Sequence, residues 1–158
     1  VSLFNWDANP AEIGVDIAEL GLDPTGAYLV YDCWNRTLQR GVRDRISAAV
    51  PGHGNALLAV YPDTNRPQVI FSDRHLVQGG IGLEGIRWDE DTKTFSGIVH
   101  LVEQDPIVLV LALPEELTFL SAQADEDITL TNNTNESRLL TLTLQSTKTG
   151  KANWTVKF

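Results

Sequence analysis

The sequence predicts an all-β protein: two antiparallel β-sandwich units of Greek-key or Ig-like kind in tandem, with little or no helix. Three observations carry this. Short runs of alternating apolar and polar residues recur at close spacing. Residues that favour turns, mainly Pro, Gly, Asn and Asp, separate them. One segment only has a helical look. With 158 residues, 42% of them hydrophobic, the chain can bury one ordinary core or two small ones without disulfides.

Val1-Ser2-Leu3-Phe4-Asn5-Trp6 alternates from the first residue, and no Met occurs anywhere. The expectation is a piece from the C-terminal part of a longer protein. Ile13, Val15 and Ile17 share one face of the next run. Asp16 to Leu22 is the helical candidate, two turns at most, with Gly21 able to cap it. Asp23-Pro24-Thr25-Gly26 is a turn, because Pro presets φ and Gly permits positive φ. Ala27–Trp34 follows as a strand, then Ile46, Ala48 and Val50. Pro51-Gly52-His53-Gly54 breaks the chain before a strand over 56–61.

Pro62-Asp63-Thr64-Asn65-Arg66-Pro67 holds two prolines and no other apolar residue, and reads as a linker. It divides the chain into 1–61, a linker at 62–67 and 68–158; one domain with a crossover loop there is the other option. Beyond it, Gln68–Ser72 and Leu83–Trp88 read as strands around a glycine-rich bend at 79–82. Asp89-Glu90-Asp91-Thr92 turns into Thr94–Leu101. Ile107–Leu113 is wholly apolar and suits a central strand covered on both faces, kept short by Pro106 and Pro114. Leu117–Ala122 and Ile128–Leu130 come next. Leu140, Leu142 and Leu144 alternate with threonines. Ala152, Trp154, Val156 and Phe158 line one face of a last strand, again as a C-terminal domain would.

The net charge of −9 is spread along the chain, with seven acids against four arginines over 1–61 and fourteen against eight bases over 62–158. No basic stripe offers itself to a phosphate backbone, so nucleic-acid binding is not expected. No apolar run approaches the ~20 residues of a membrane span, so a membrane partner is not expected. The single Cys33 allows no internal disulfide and fits a cytoplasmic setting, although localisation is open.

Residues able to do chemistry are sparse. Sugar hydrolysis needs two carboxyl groups roughly 5–9 Å apart. The adjacent acids Glu115-Glu116 and Glu90-Asp91 sit in polar turns, so no catalytic residue is assigned. His53, His75 and His100 are far apart and lack metal-ligand spacing, so no metal or other cofactor is expected. Asp89–Asp91 and Asp125–Asp127 supply oxygen ligands without a calcium-loop pattern. No nucleophile elbow occurs, and the clustered glycines lack dinucleotide spacing. Sequons at Asn35, Asn132, Asn135 and Asn153 matter only in a secreted eukaryotic product. The four tryptophans remain, since aromatic faces stack on the C–H face of a pyranose. Trp6, Trp88 and Trp154 alternate with apolar neighbours and read first as core. Trp34, followed by polar Asn35-Arg36-Thr37, has the best prospect of exposure. With Tyr31 and Trp88, it forms the candidate carbohydrate-binding set.

Val1–Trp6, Ile13–Leu22 with its Leu-Gly-Leu turn, Ala27–Trp34 with Tyr-Asp-Cys-Trp, and Val50–Leu58 with Pro-Gly-His-Gly come in a telling order. They resemble the C-terminal β-sandwich of melibiase-like, α-galactosidase-type glycoside hydrolases over about the first 61 residues. Arg66–Ile70, His75–Gly79 and Ile86–Asp89 resemble a further β-domain carried by some bacterial members. The resemblance implies a catalytic (β/α) barrel in the same parent chain as partner, with the catalytic acids on that barrel and none here. Asp32 and His53 would then fix loops by hydrogen bonding to backbone. Three roles follow: an accessory domain packed on a barrel, a carbohydrate-binding module, and an adhesive Ig-like pair.

Overall fold

Period-two alternation becomes strand throughout the computed structural model, which describes residues 1–74, 82–134 and 138–158. The chain divides into two units, Val1–Thr64 and Asn65–Phe158. Every strand ladder described is antiparallel.

The first unit holds β1 (Ser2–Phe4), β2 (Ala11–Asp16), β3 (Tyr28–Asp32), β4 (Thr37–Val42), β5 (Arg45–Val50) and β6 (Asn55–Pro62). One sheet runs β1-β6-β3-β4 and the other is the β2-β5 pair. Leu3, Tyr28, Val30, Ala56 and Leu58 of the first sheet meet Ile46, Ala48 and Val50 of the second in one apolar cluster. The helical candidate is a single 3-10 turn, Ile17–Leu20. Gly21 caps it with φ 71, a left-handed conformation that costs glycine little, and its N–H donates to the Ala18 carbonyl. The Asp23–Gly26 turn closes through Gly26 N–H to the Asp23 carbonyl at 3.1 Å. β4 is a strand that the reading of the sequence does not anticipate. It lies at the sheet edge, its register to β3 shifts between Tyr28 and Val30, and Gly41 in it has φ 61.

The second unit holds β7 (Gln68–Ser72), β8 (Leu83–Asp89), β9 (Thr94–Leu101), β10 (Ile107–Ala112), β11 (Ser121–Ala124), β12 (Ile128–Thr134), β13 (Leu139–Ser146) and β14 (Gly150–Lys157). Its sheets run β12-β13-β10-β7 and β11-β14-β9-β8. The inward parity of four strands builds the core: Phe95, Val99 and Leu101 of β9, Ile107, Leu109 and Leu111 of β10, Leu140, Leu142 and Leu144 of β13, and Trp154 and Val156 of β14. β10 is an interior strand, as its apolar run implies, and Val110 and Ala112 on its other parity are also buried. The expected strand over Leu117–Ala122 starts later, at Ser121, because Pro114 and the turn after it delay pairing. The bend at 79–81 and the 75–79 stretch lie outside the described residues, as does the Asn135 sequon.

Two tests follow from this packing. A Cβ on Gly97 would lie 2.5 Å from Ile86 Cδ1 and 2.9 Å from Cζ2 of Trp154. The Ile86 methyl can swing away, but Trp154 is 1% exposed and fixed edge-on against Phe95. Gly97→Ala therefore overpacks the core and should lower stability by about 1–3 kcal/mol in urea unfolding. In the first unit, burial, helped by the nearby Cys33, pushes the Tyr61 phenol from 10.0 up to about 12. Below pH 10 both folded and unfolded chains keep that proton. As pH rises from about 10 to about 12 the unfolded chain releases it first, so stability should fall, by about 1–2 kcal/mol because water screens the partly exposed phenol. Alkaline unfolding followed by circular dichroism should show this decline, and Tyr61→Phe should flatten it.

Candidate functional site

β1 presents its smaller residues to the core. Leu3 is 6% and Asn5 3% exposed, whereas Phe4 and Trp6 on the opposite parity are 53% and 83% exposed. The expectation that Trp6 packs in the core is therefore corrected. Alternation gives two faces but not which one is inside. Here β1 pairs with β6 as Leu3↔Ala56 and Phe4↔Asn55, and the buried partner Ala56 sets the inward parity.

Asn5 replaces an apolar side chain with three hydrogen bonds. Its Nδ2 donates to the Asn9 carbonyl at 2.8 Å and the Val50 carbonyl at 3.1 Å, and its Oδ1 accepts from Asp7 N–H at 3.0 Å. Its own N–H reaches the Gly54 carbonyl at 2.9 Å. The 51–54 turn is pressed against the loop after β1: a Cβ on Gly52 would lie 2.0 Å from the Ala8 oxygen, so only glycine fits. His53 follows with φ 52 and holds the loop through its backbone N–H, which donates to the Asp7 carbonyl at 2.9 Å. The loop-fixing role expected of His53 thus belongs to its main chain; among the described residues its imidazole makes no hydrogen bond.

Phe4 and Trp6, two residues apart, stack their rings on this frame, 5.9 Å between centroids with the ring planes 13° from parallel. A depression of about 310 Å³ is lined by Phe4, Asn5, Trp6, His53, Gly54 and Asn55. Trp34 joins through Asn55, whose Oδ1 accepts from the indole Nε1 at 2.9 Å. Trp34 is 54% exposed, as its polar neighbours imply. Its position is set by Asp32, whose Oδ1 accepts from the N–H groups of Trp34 and Asn35 and whose Oδ2 accepts from Asn35 Nδ2. Asp32 therefore does the loop-fixing work expected of it.

The other two residues of the candidate set stand elsewhere. Tyr31 is 1% exposed in the middle of β3, a strand buried on both faces, so its ring offers no surface for stacking. Trp88 lies in the second unit and is half-buried. Its Nε1 donates to Glu90 Oε2 at 2.6 Å, Phe158 meets it edge-on at 5.7 Å, and Lys93 Nζ stands 5.9 Å from its ring centroid. The structure brings Trp34 together with Phe4, Trp6, His53 and Asn55, a grouping the sequence reading did not make. Phe4 and Trp6 at i, i+2 were the available signal, masked by the assumption that the larger aromatics face inward.

The four carboxylates with a clear shift move downward. Glu84 is held below its ordinary range by hydrogen bonds from Lys151 and His100, and Glu90 by Lys93 and Trp88. Asp23 and Asp89 are lowered by hydrogen bonds from Thr25 and Thr92. A general acid needs the opposite shift. Glu115 and Glu116 are exposed. Among the described residues no three His, Cys, Asp or Glu side chains gather to hold a metal. Burial pushes the Cys33 thiol up, which keeps it protonated.

Two sheets closed over one apolar core, with aromatic rings left outside, define the first unit as a β-sandwich domain. Residues 1–60 match the family described as the alpha galactosidase C-terminal beta sandwich domain. The resemblance read from Val1–Trp6, the Leu-Gly-Leu turn and the Pro-Gly-His-Gly stretch thus stands over those residues, and residues 61–158 lie outside the match. No curated protein matched the chain.

Asn5→Ala should test the frame. It leaves the Val50 and Asn9 carbonyls without their partner and should cost about 1–3 kcal/mol in thermal or urea unfolding. The Trp6 indole signal in a proton–nitrogen correlation spectrum should broaden or move in the same variant.

Proposed function

We propose that this chain is a non-catalytic accessory β region of a glycoside hydrolase of the α-galactosidase kind, steadying a catalytic (β/α) barrel in the same parent chain. The match of residues 1–60 to a domain described as C-terminal in alpha-galactosidases carries this reading. Chemistry supports it. The carboxylates that shift clearly are exposed and lowered, and both oxygens of the buried Asp32 are taken by the turn it organises. Such groups anchor loops; they do not protonate a leaving group. A second reading, carbohydrate binding, is favoured by the exposure of Trp34 beside polar Asn55.

The purified chain should release no nitrophenol from nitrophenyl α-galactoside or related glycosides above the buffer rate. The reading frame upstream of Val1 should encode a barrel with two acidic residues at strand ends. Hydrolysis that survives purification and disappears in Asp32→Asn, or an upstream frame without such a barrel, would remove the accessory reading.

A further inference from the structure

We infer that the outer face of the first unit around Trp6 is a saccharide-stacking site, with Trp6, backed by the stacked ring of Phe4, as its floor and Trp34, His53 and Asn55 at its side. The inference rests on the carbohydrate-binding reading and gives it residues. Its ligand class is a neutral pyranoside with one face made of C–H groups.

Four observations select that ligand. The floor is an open aromatic face, since Trp6 stacks nearly parallel to Phe4 on one side and, at 83% exposed, leaves indole surface free for the C–H face of a sugar ring. Hydrogen-bonding groups stand beside it. Among the described residues the His53 imidazole has no hydrogen-bond partner, and Asn55 spends its Oδ1 on Trp34, leaving its amide N–H groups for hydroxyls. An apolar protein surface laid here would strand those groups without partners, at a cost comparable to the lost hydrogen bonds. Among the described residues no carboxylate, Lys or Arg lines the depression, which disfavours phosphates and charged peptides. The site is also held in shape before any ligand arrives: Asn5 fixes the end of β1, Gly52 and His53 fix the turn, and Asp32 and Asn55 fix Trp34. A fixed floor loses little freedom on binding.

Exposure makes the test clean, because Trp6 contributes little to the core and Trp6→Ala should fold like the parent chain. The 158-residue chain is titrated with methyl α-galactopyranoside and with melibiose by calorimetry, alongside tryptophan emission. Saturable binding in the range of about 1–10 mM is expected. Trp6→Ala should weaken it at least about tenfold, Trp6→Phe should recover part, and Trp88→Phe should leave it unchanged. The indole N–H resonance of Trp34 should shift on sugar addition. Equal affinity in the parent chain and Trp6→Ala overturns the site while leaving carbohydrate binding in place. No saturation by about 50 mM in the parent chain overturns both. A chain that ignores sugar but dimerises through Trp6 in sedimentation would assign the face to protein contact and also overturn the proposal.

Discussion

The side-chain amide of Asn5 is the interaction on which the outer architecture of the first unit depends. The β1–β6 ladder ends at Phe4, yet the chain stays ordered beyond it. It does so because one buried amide satisfies the Val50 and Asn9 carbonyls and the Asp7 N–H together. Without it each of those backbone groups would lose this partner at the sheet end. A leucine in that place would fill space but could not join three segments. Trp6 would then be the tip of a loop instead of a fixed ring.

The same logic recurs at the neighbouring strand end. Asp32 is buried and spends its charge on the N–H groups of the following turn, which sets Trp34 beside Asn55. Polar side chains at strand ends thus shape the surface, while the apolar parity between the sheets supplies the cohesion. This division of labour explains how a small sandwich can present large rings to water. The apolar area lost from the core is small, since Leu3 and Ala56 fill the inner parity of the edge.

Legibility followed how strongly each segment was constrained by burial. Leu140–Leu144 and Ala152–Phe158 alternate cleanly because a core occupies one side of each, and their strands appear where expected. The run at Ile107–Leu113 announces an interior strand for the same reason. β4 was not legible, since Thr37-Leu38-Gln39-Arg40-Gly41-Val42 is an edge with one half-buried face and a glycine, and carries little hydrophobic signal. In the candidate site, Trp34 could be read from its polar neighbours, and the family resemblance from short motifs. The exposure of Trp6 and the burial of Tyr31 could not. Both depend on which parity faces the core and on how many faces of a strand are covered, and those are facts of pairing between distant segments.

The irregular edge at β4 has a consequence for behaviour in concentrated solution. Its slipped pairing with β3 and the left-handed Gly41 bend the outermost backbone, so it does not offer a straight row of free amide and carbonyl groups. That border is a poor template on which another molecule could lay a strand. Fibril growth by backbone zippering is denied a starting point along β4, and self-association there would have to proceed through side chains.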